Sequence, residues 1–184
     1  GSVAIGQSNA TLTIIDNEFG PGQVQFTTNS FRVDETAPGG VAVISVVRTN
    51  GSAGPISVQF LTSDGTATNG AHYGGVSGTF NWADGDLSVK TFSVGINNDA
   101  VANVDRTVNL TLANATGGAL ILLPASLLTI LDDDSTVAFS QTNYTVAESA
   151  GSITLTVVRT GATNQTVTVA YATSDVTATS VGAA

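Results

Sequence analysis

The strongest constraint on this 184-residue chain is that it repeats itself. Val46-Val47-Arg48-Thr49 returns as Val157-Val158-Arg159-Thr160, and Thr62-Ser63-Asp64-Gly65-Thr66-Ala67-Thr68 returns as Thr173-Ser174-Asp175-Val176-Thr177-Ala178-Thr179, each 111 residues later. Phe26, Phe31, Val33 and Glu35 correspond to Phe139, Tyr144, Val146 and Glu148 at an offset of 113. Leu12-Thr13-Ile14-Ile15-Asp16-Asn17-Glu18 corresponds to Leu128-Thr129-Ile130-Leu131-Asp132-Asp133-Asp134 at 116. The small drifts fall in turns, where insertions are tolerated. A unit of this length has the size of an immunoglobulin-like sandwich, about 100 residues. The spacing predicts one complete unit over residues 23–134. The C-terminal strand or strands of a preceding unit lie in 1–19, and the N-terminal strands of a following unit in 136–184. The two partial units together lack the equivalent of Gly74–Thr116, so they do not complete one another. The chain therefore reads as a window on a longer tandem array, and a start at Gly1 without initiator Met or signal peptide agrees with that.

The local signal is β throughout. Ile56, Val58 and Phe60 alternate with Ser57, Gln59 and Leu61, and Phe92, Val94 and Ile96 alternate with Ser93 and Gly95. Val108, Leu110 and Leu112 alternate with Asn109 and Thr111. In Ser152–Thr160, Ile153, Leu155 and Val157 share one face, which predicts a strand with that face buried. Asn50-Gly51, Asn69-Gly70, Asp84-Gly85 and Gly117-Gly118 mark turns between the runs. The apolar run Ala119-Leu120-Ile121-Leu122-Leu123 is either a well-buried last strand or a contact between units.

Charge narrows the function classes. Fourteen acidic against five basic residues give a net charge of −9, which argues against nucleic acid as a partner. The absence of Cys excludes thiol catalysis, disulfides and Cys-based zinc sites. With His72 the single histidine, a His-rich metal site is excluded, and a Ser-His-Asp triad would have to pass through it. Nothing selects for catalysis, so the chain is expected not to be an enzyme. The longest apolar stretch, Ala119–Leu131, has 13 residues and is broken by Pro124 and Ser126, so no membrane span is expected.

Several motifs stand in an order that resembles the Calx-beta domain, a module of sodium/calcium exchangers, an integrin cytoplasmic region and large bacterial surface proteins. Phe31-Arg32-Val33-Asp34-Glu35 looks like the family's aromatic-x-Val-x-Glu opening, and Val46-Val47-Arg48-Thr49 like its V-x-R strand. Asp64-Gly65-Thr66-Ala67 with His72-Tyr73 resembles the DGTA-x(4)-DY segment. Gly78-Thr79-Phe80-Asn81-Trp82 and Asp84-Gly85-Asp86 resemble the GT-aromatic strand and its turn. Phe92–Ile96, an acidic loop and Val108–Leu112 follow, and Leu128–Asp134 resembles the closing T-I-x-DDD. The resemblance implies an all-β fold, a seven-stranded antiparallel immunoglobulin-like Greek-key sandwich in tandem repeats.

The resemblance also implies calcium at one end of the sandwich. Carried over residue by residue, the metal ligands are Glu35, Asp99, Asp105, Asp132, Asp133 and Asp134. The set is degenerate, because the family's DY Asp is His72, one Asp of the loop pair is Asn98, and two loop Glu positions are Asn103 and Arg106. Arg106 is expected to pair with Asp105 or the closing Asp run in the ion's place. The function expected first is a structural or adhesive repeat of a large secreted or cell-surface protein, bacterial in type. It would form a rod or filament segment stiffened by calcium at unit junctions. The alternative is a regulatory calcium sensor. The expected partners are neighbouring repeats of the same chain, with strand addition between copies giving a homopolymer.

Overall fold

Apart from Leu12, the computed structural model describes residues 20–177. Of the strands expected in 1–19, all but Leu12 lies outside the described residues. Short β-prone runs punctuated by turns fold into two five-stranded sheets packed face to face. The strands are β1 (Gln23–Phe26), β2 (Ser30–Asp34), β3 (Val41–Thr49), β4 (Ile56–Asp64), β5 (Tyr73–Gly74), β6 (Ser77–Trp82), β7 (Lys90–Ile96), β8 (Arg106–Ala113), β9 (Leu120–Leu123) and β10 (Ala125–Leu131). One sheet has the order β5-β7-β3-β1-β9 and the other β2-β10-β8-β4-β6.

The pairing is antiparallel, as expected, with one exception. The first run of chain is divided between the sheets as β1 and β2, and the last as β9 and β10. The first run meets the last in parallel in both sheets, β1 with β9 and β2 with β10. The alternating residues read from the sequence supply the core: Val58 and Phe60, Phe92 and Val94, and Val108, Leu110 and Leu112 are all buried. Phe60 stacks on Phe92 across the layers at 4.3 Å between ring centroids. Trp82 and Tyr73 are core residues, and the Trp82 indole donates to the Ser88 carbonyl at 2.8 Å.

Arg48, near the end of β3, does not snorkel to water. It is 2% exposed. Its guanidinium donates to five main-chain carbonyls, of Pro21, Ala53, Gly54, Ala83 and Asp86, at 3.0–3.4 Å. It thereby ties the approach to β1 to the β3–β4 and β6–β7 turns. These carbonyls offset the cost of taking the charge out of water.

The apolar run at Ala119–Leu123 divides by strand alternation. Ile121 and Leu123 pack against the core, whereas Leu120 and Leu122 are 65% and 57% exposed. The second repeat continues as β11 (Ser135–Phe139) and β12 (Val157–Gly161). Their register, Val137 opposite Arg159 and Phe139 opposite Val157, reproduces Val24 opposite Arg48 and Phe26 opposite Val46 in β1–β3. The ring pair repeats too: Phe26–Phe31 lies edge to face at 6.3 Å, and Phe139–Tyr144 at 6.4 Å. The buried face expected for Ser152–Thr160 is not formed. Ile153 and Leu155 are 41% and 44% exposed, because residues 135–177 contain no counterpart of β7, β8 or β10 to cover them.

Candidate metal centre

The parallel pairing of β2 and β10 builds the acidic end of the sandwich. Their register ends with Asp34 beside Leu131, and the Glu35 N–H donates to the Leu131 carbonyl at 3.0 Å. Two parallel strands leave the sheet at the same end, so Glu35 emerges next to Asp132. In the extended run that follows β10, alternate side chains point to the same side, and Asp134 joins Asp132. Carboxylate oxygens of Glu35, Asp132 and Asp134 all lie within 4.8 Å of one another.

The electrostatics are those of three like charges with no salt bridge to a basic side chain among the described residues. Glu35 is only 7% exposed. Burial, then the nearby Asp99, with Asp132 and Asp134 adding, push its pKa above the ordinary value of 4.5. Asp134 is pushed up from 3.8 by desolvation, then by Asp133, Asp132 and Asp99. One carboxylate oxygen each of Asp132 (Oδ1), Asp133 (Oδ1) and Asp134 (Oδ2) is buried with no hydrogen-bond partner. Unpartnered buried carboxylate oxygens are costly, and a hard cation is the group that satisfies at once those of Asp132 and Asp134, which lie in the close group with Glu35. The residues present therefore fit an oxygen-liganded cation. Glu35 and Asp132 also line a pocket of about 10 Å3, together with His72, Asn103, Val104, Arg106 and Ile130. That is the room of about one water molecule.

The other expected ligands take different positions. Asp99 acts on the charge of Glu35 and Asp134, while its Oδ1 accepts from the Val101 N–H at 2.7 Å. Asp105 turns to the frame: its Oδ1 accepts from the Asp132 N–H at 3.2 Å, and its Oδ2 lies 3.9 Å from Arg32. The ion pair expected of Arg106 is absent among the described residues. Arg106 donates instead to Asn103 Oδ1 at 3.1 Å, and the partner of Asp105 is Arg32. Asp133 Oδ2 accepts from Thr36 Oγ1 at 2.8 Å and from Gln165 Nε2 at 2.6 Å.

His72 is held by its loop. Its Nδ1 accepts from the Thr68 N–H at 2.9 Å, which leaves the ring proton on Nε2 and makes that nitrogen a donor rather than a ligand. The loop is anchored by Asp64, whose Oδ1 accepts from the Tyr73 hydroxyl at 2.7 Å and the Asn69 N–H at 2.9 Å. Burial and this bond push Tyr73 up to about 12. Sequence reasoning missed Thr36, Arg32 and Gln165. Thr36 had a signal in its place directly after Glu35, whereas Gln165 had none, because only the fold brings it to Asp133.

The sequence pattern described as the Calx-beta domain matches residues 16–134 and again 131–183. A segment of the Adhesion G-protein coupled receptor V1 of Danio rerio is 30% identical over 183 residues, covering 92% of this chain but 3% of that protein. The Sodium/calcium exchanger Calx of Drosophila melanogaster is 31% identical over 139 residues, covering 74% of this chain and 14% of the exchanger. The chain thus spans a small part of both relatives. Among solved structures, the apo-form Calx CBD1 domain superposes with a TM-score of 0.57 at 26% identity, over 61% of this chain and 97% of that one. The calcium binding domain CBD12 of CALX1.1 superposes with 0.57 at 27% identity, over 69% of this chain and 52% of that one.

Proposed function

The chain belongs to the Calx-beta domain family, and from that premise we propose that residues 23–134 form a calcium-binding sensor module. The observation that carries the reading is the convergence of Glu35, Asp132 and Asp134, two of which hold buried oxygens without partners. Three carboxylates supply up to six oxygens, and main-chain carbonyls or water complete the six to eight that calcium takes. The small pocket, with Arg106 and His72 on its wall, favours one ion over two. Asp99 adds charge from the side, and Asp105 positions Asp132. The module binds and does not catalyse.

Calorimetric titration with calcium tests this. One site is expected, with a dissociation constant of about 10^-4 M, in the range of extracellular modules. No heat and no change in melting temperature at millimolar calcium removes the reading.

The division into a complete unit over 23–134, flanked by parts of neighbours in 1–19 and 136–184, belongs to the same proposal. It is supported by the shared register of β1–β3 and β11–β12. The rod-like structural role is a second reading, supported by the hydrogen bonds between Asp133, Asp134 and the second repeat. It places the module outside the cell, a placement supported by one relative's name, that of an adhesion receptor. Among the described residues no helix is long and apolar enough to cross a membrane. Strand addition between copies is supported by the open apolar groove at Phe139, Val157 and Tyr171. A chain that stays monomeric at high concentration removes that part.

A further inference from the structure

The three aspartates that close the first repeat are not equivalent, and the difference assigns them two jobs. Only three residues, Asp132–Asp134, separate β10 from β11. Alternation along this extended run sends Asp132 and Asp134 towards Glu35 and turns Asp133 the other way. Asp133 is accordingly outside the group of mutually close carboxylates. Its Oδ2 accepts from Thr36 of the first repeat and from Gln165 of the second, at 2.8 and 2.6 Å.

Gln165 is itself held from behind, since its carbonyl accepts from Arg159 Nη1 at 2.7 Å, and Arg159 Nε donates to Ser135 Oγ at 3.0 Å. Beside it, the Ala162 N–H donates to the Asp134 carbonyl at 2.8 Å. At Gly161, whose φ is +94°, an added Cβ would stand 2.5 Å from the Asp134 carbonyl oxygen and 3.0 Å from Cβ of Ala102, in the loop between β7 and β8. The second repeat thus approaches the acidic end of the first at a spacing that only glycine permits.

We propose that Asp133, through its Oδ2, is the first repeat's half of an inter-repeat latch rather than a member of the Glu35 cation group, with Gln165 as the other half and Gly161 as the close-approach point. The latch is built from charge-assisted hydrogen bonds, which are stronger than neutral ones. It is closed without any ion, because Gln165 brings a neutral donor to Asp133. It sets the angle between repeats, while Glu35, Asp132 and Asp134 hold the cation.

The latch stands on contacts of its own, so it survives failure of the calcium reading. The test uses the full chain, which has no native cysteine to interfere with spin labels placed at Thr91 and Thr168, both exposed. Double electron–electron resonance then reads the distance distribution between repeats in chelator. The wild type is expected to give one narrow distribution, broadened at least twofold by Gln165→Ala, by Asp133→Ala and by Gly161→Val. In a parallel calcium titration, Gln165→Ala keeps the wild-type affinity within threefold. Asp133→Ala weakens it at most tenfold through lost charge, whereas Asp134→Ala abolishes it. Unchanged distance distributions overturn the latch. Loss of calcium binding in Asp133→Ala with an intact distribution overturns the division of labour. A wild type that binds no calcium refutes the sensor reading and leaves the latch to be judged on the distances.

Discussion

Replacing Glu35 with Gln should stabilise the calcium-free protein and remove its response to calcium. At 4.8 Å, the outer limit of the Glu35, Asp132 and Asp134 group, two unit charges repel by about 1 kcal/mol at the dielectric of water and about 3 kcal/mol at an effective value of 20. Glu35 faces two partners, so neutralising it relieves about 2 kcal/mol on the lower figure. The higher figure is not reached, because the wild-type carboxyl escapes part of the repulsion by holding its proton to a raised pKa. Gln retains a carbonyl to accept from the Asp99 N–H, the one contact that favours the charged form. About 2 kcal/mol corresponds to a rise of about 8 °C in melting temperature for a domain of this size.

The pH dependence has a defined sign. A carboxyl whose folded pKa lies above its unfolded one binds more protons folded than unfolded. Stability in chelator therefore falls as pH rises from 4.5 through the raised value, and the variant flattens this limb. Calcium at a hundredfold excess over its dissociation constant adds about 2.7 kcal/mol to the wild type and nothing to the variant, so their order of stability reverses. Thermal unfolding at pH 7 with and without calcium reads all of this. A variant less stable than wild type in chelator would refute the claim that the cluster is held together against its own repulsion.

Other outcomes follow from the packing. Arg48→Met leaves five carbonyls without their donor and should cost about 3–5 kcal/mol by denaturant unfolding; a loss under 1 kcal/mol would mean that water replaces the guanidinium. Leu122→Ser should change stability by less than about 0.5 kcal/mol, since the side chain faces outward. Leu123→Ser should cost about 2 kcal/mol or more, and equal effects would contradict the alternation in β9. Gly65→Ala would place a Cβ 2.5 Å from the Thr107 carbonyl oxygen, and should cost about 1–3 kcal/mol in the same assay.

The sandwich was legible because period-2 runs and a long repeat each constrain it independently. Ile56–Phe60, Phe92–Ile96 and Val108–Leu112 needed no tertiary information to be assigned. The place of Arg48 was not legible, because a strand-end Arg looks alike whether its head meets water or the carbonyls of the approach to β1 and of two turns. Ser152–Thr160 carried the pattern of a buried face, but a pattern does not supply the strands that cover it. At the acidic end, the resemblance named the residues, while the parallel β2–β10 register decided which of them meet. That Arg32 rather than Arg106 reaches Asp105 depends on side-chain direction across two strands, which no spacing in the sequence encodes.

The pairing of the first and last strands also decides how the unit behaves under tension. β2 and β10 run parallel over five register pairs, from Ser30 beside Leu127 to Asp34 beside Leu131, and β1 with β9 repeats the arrangement in the other sheet. A pull on the two ends of residues 23–134 drags these neighbours past each other along their length. Their hydrogen bonds are then loaded together, not peeled apart one at a time as at the mouth of a hairpin. The unit should extend in a single abrupt step at high force, and a Thr129→Pro substitution, which deletes one donor from the middle of β10, should lower that force in single-molecule pulling. A gradual, low-force extension of the wild type would show that the load bypasses these strands. In a chain of such units, the site that collects the acids and the strands that bear the strain are the same two, so a cation at Glu35 and Asp132 would act as a rivet at the point where the load leaves the sheet.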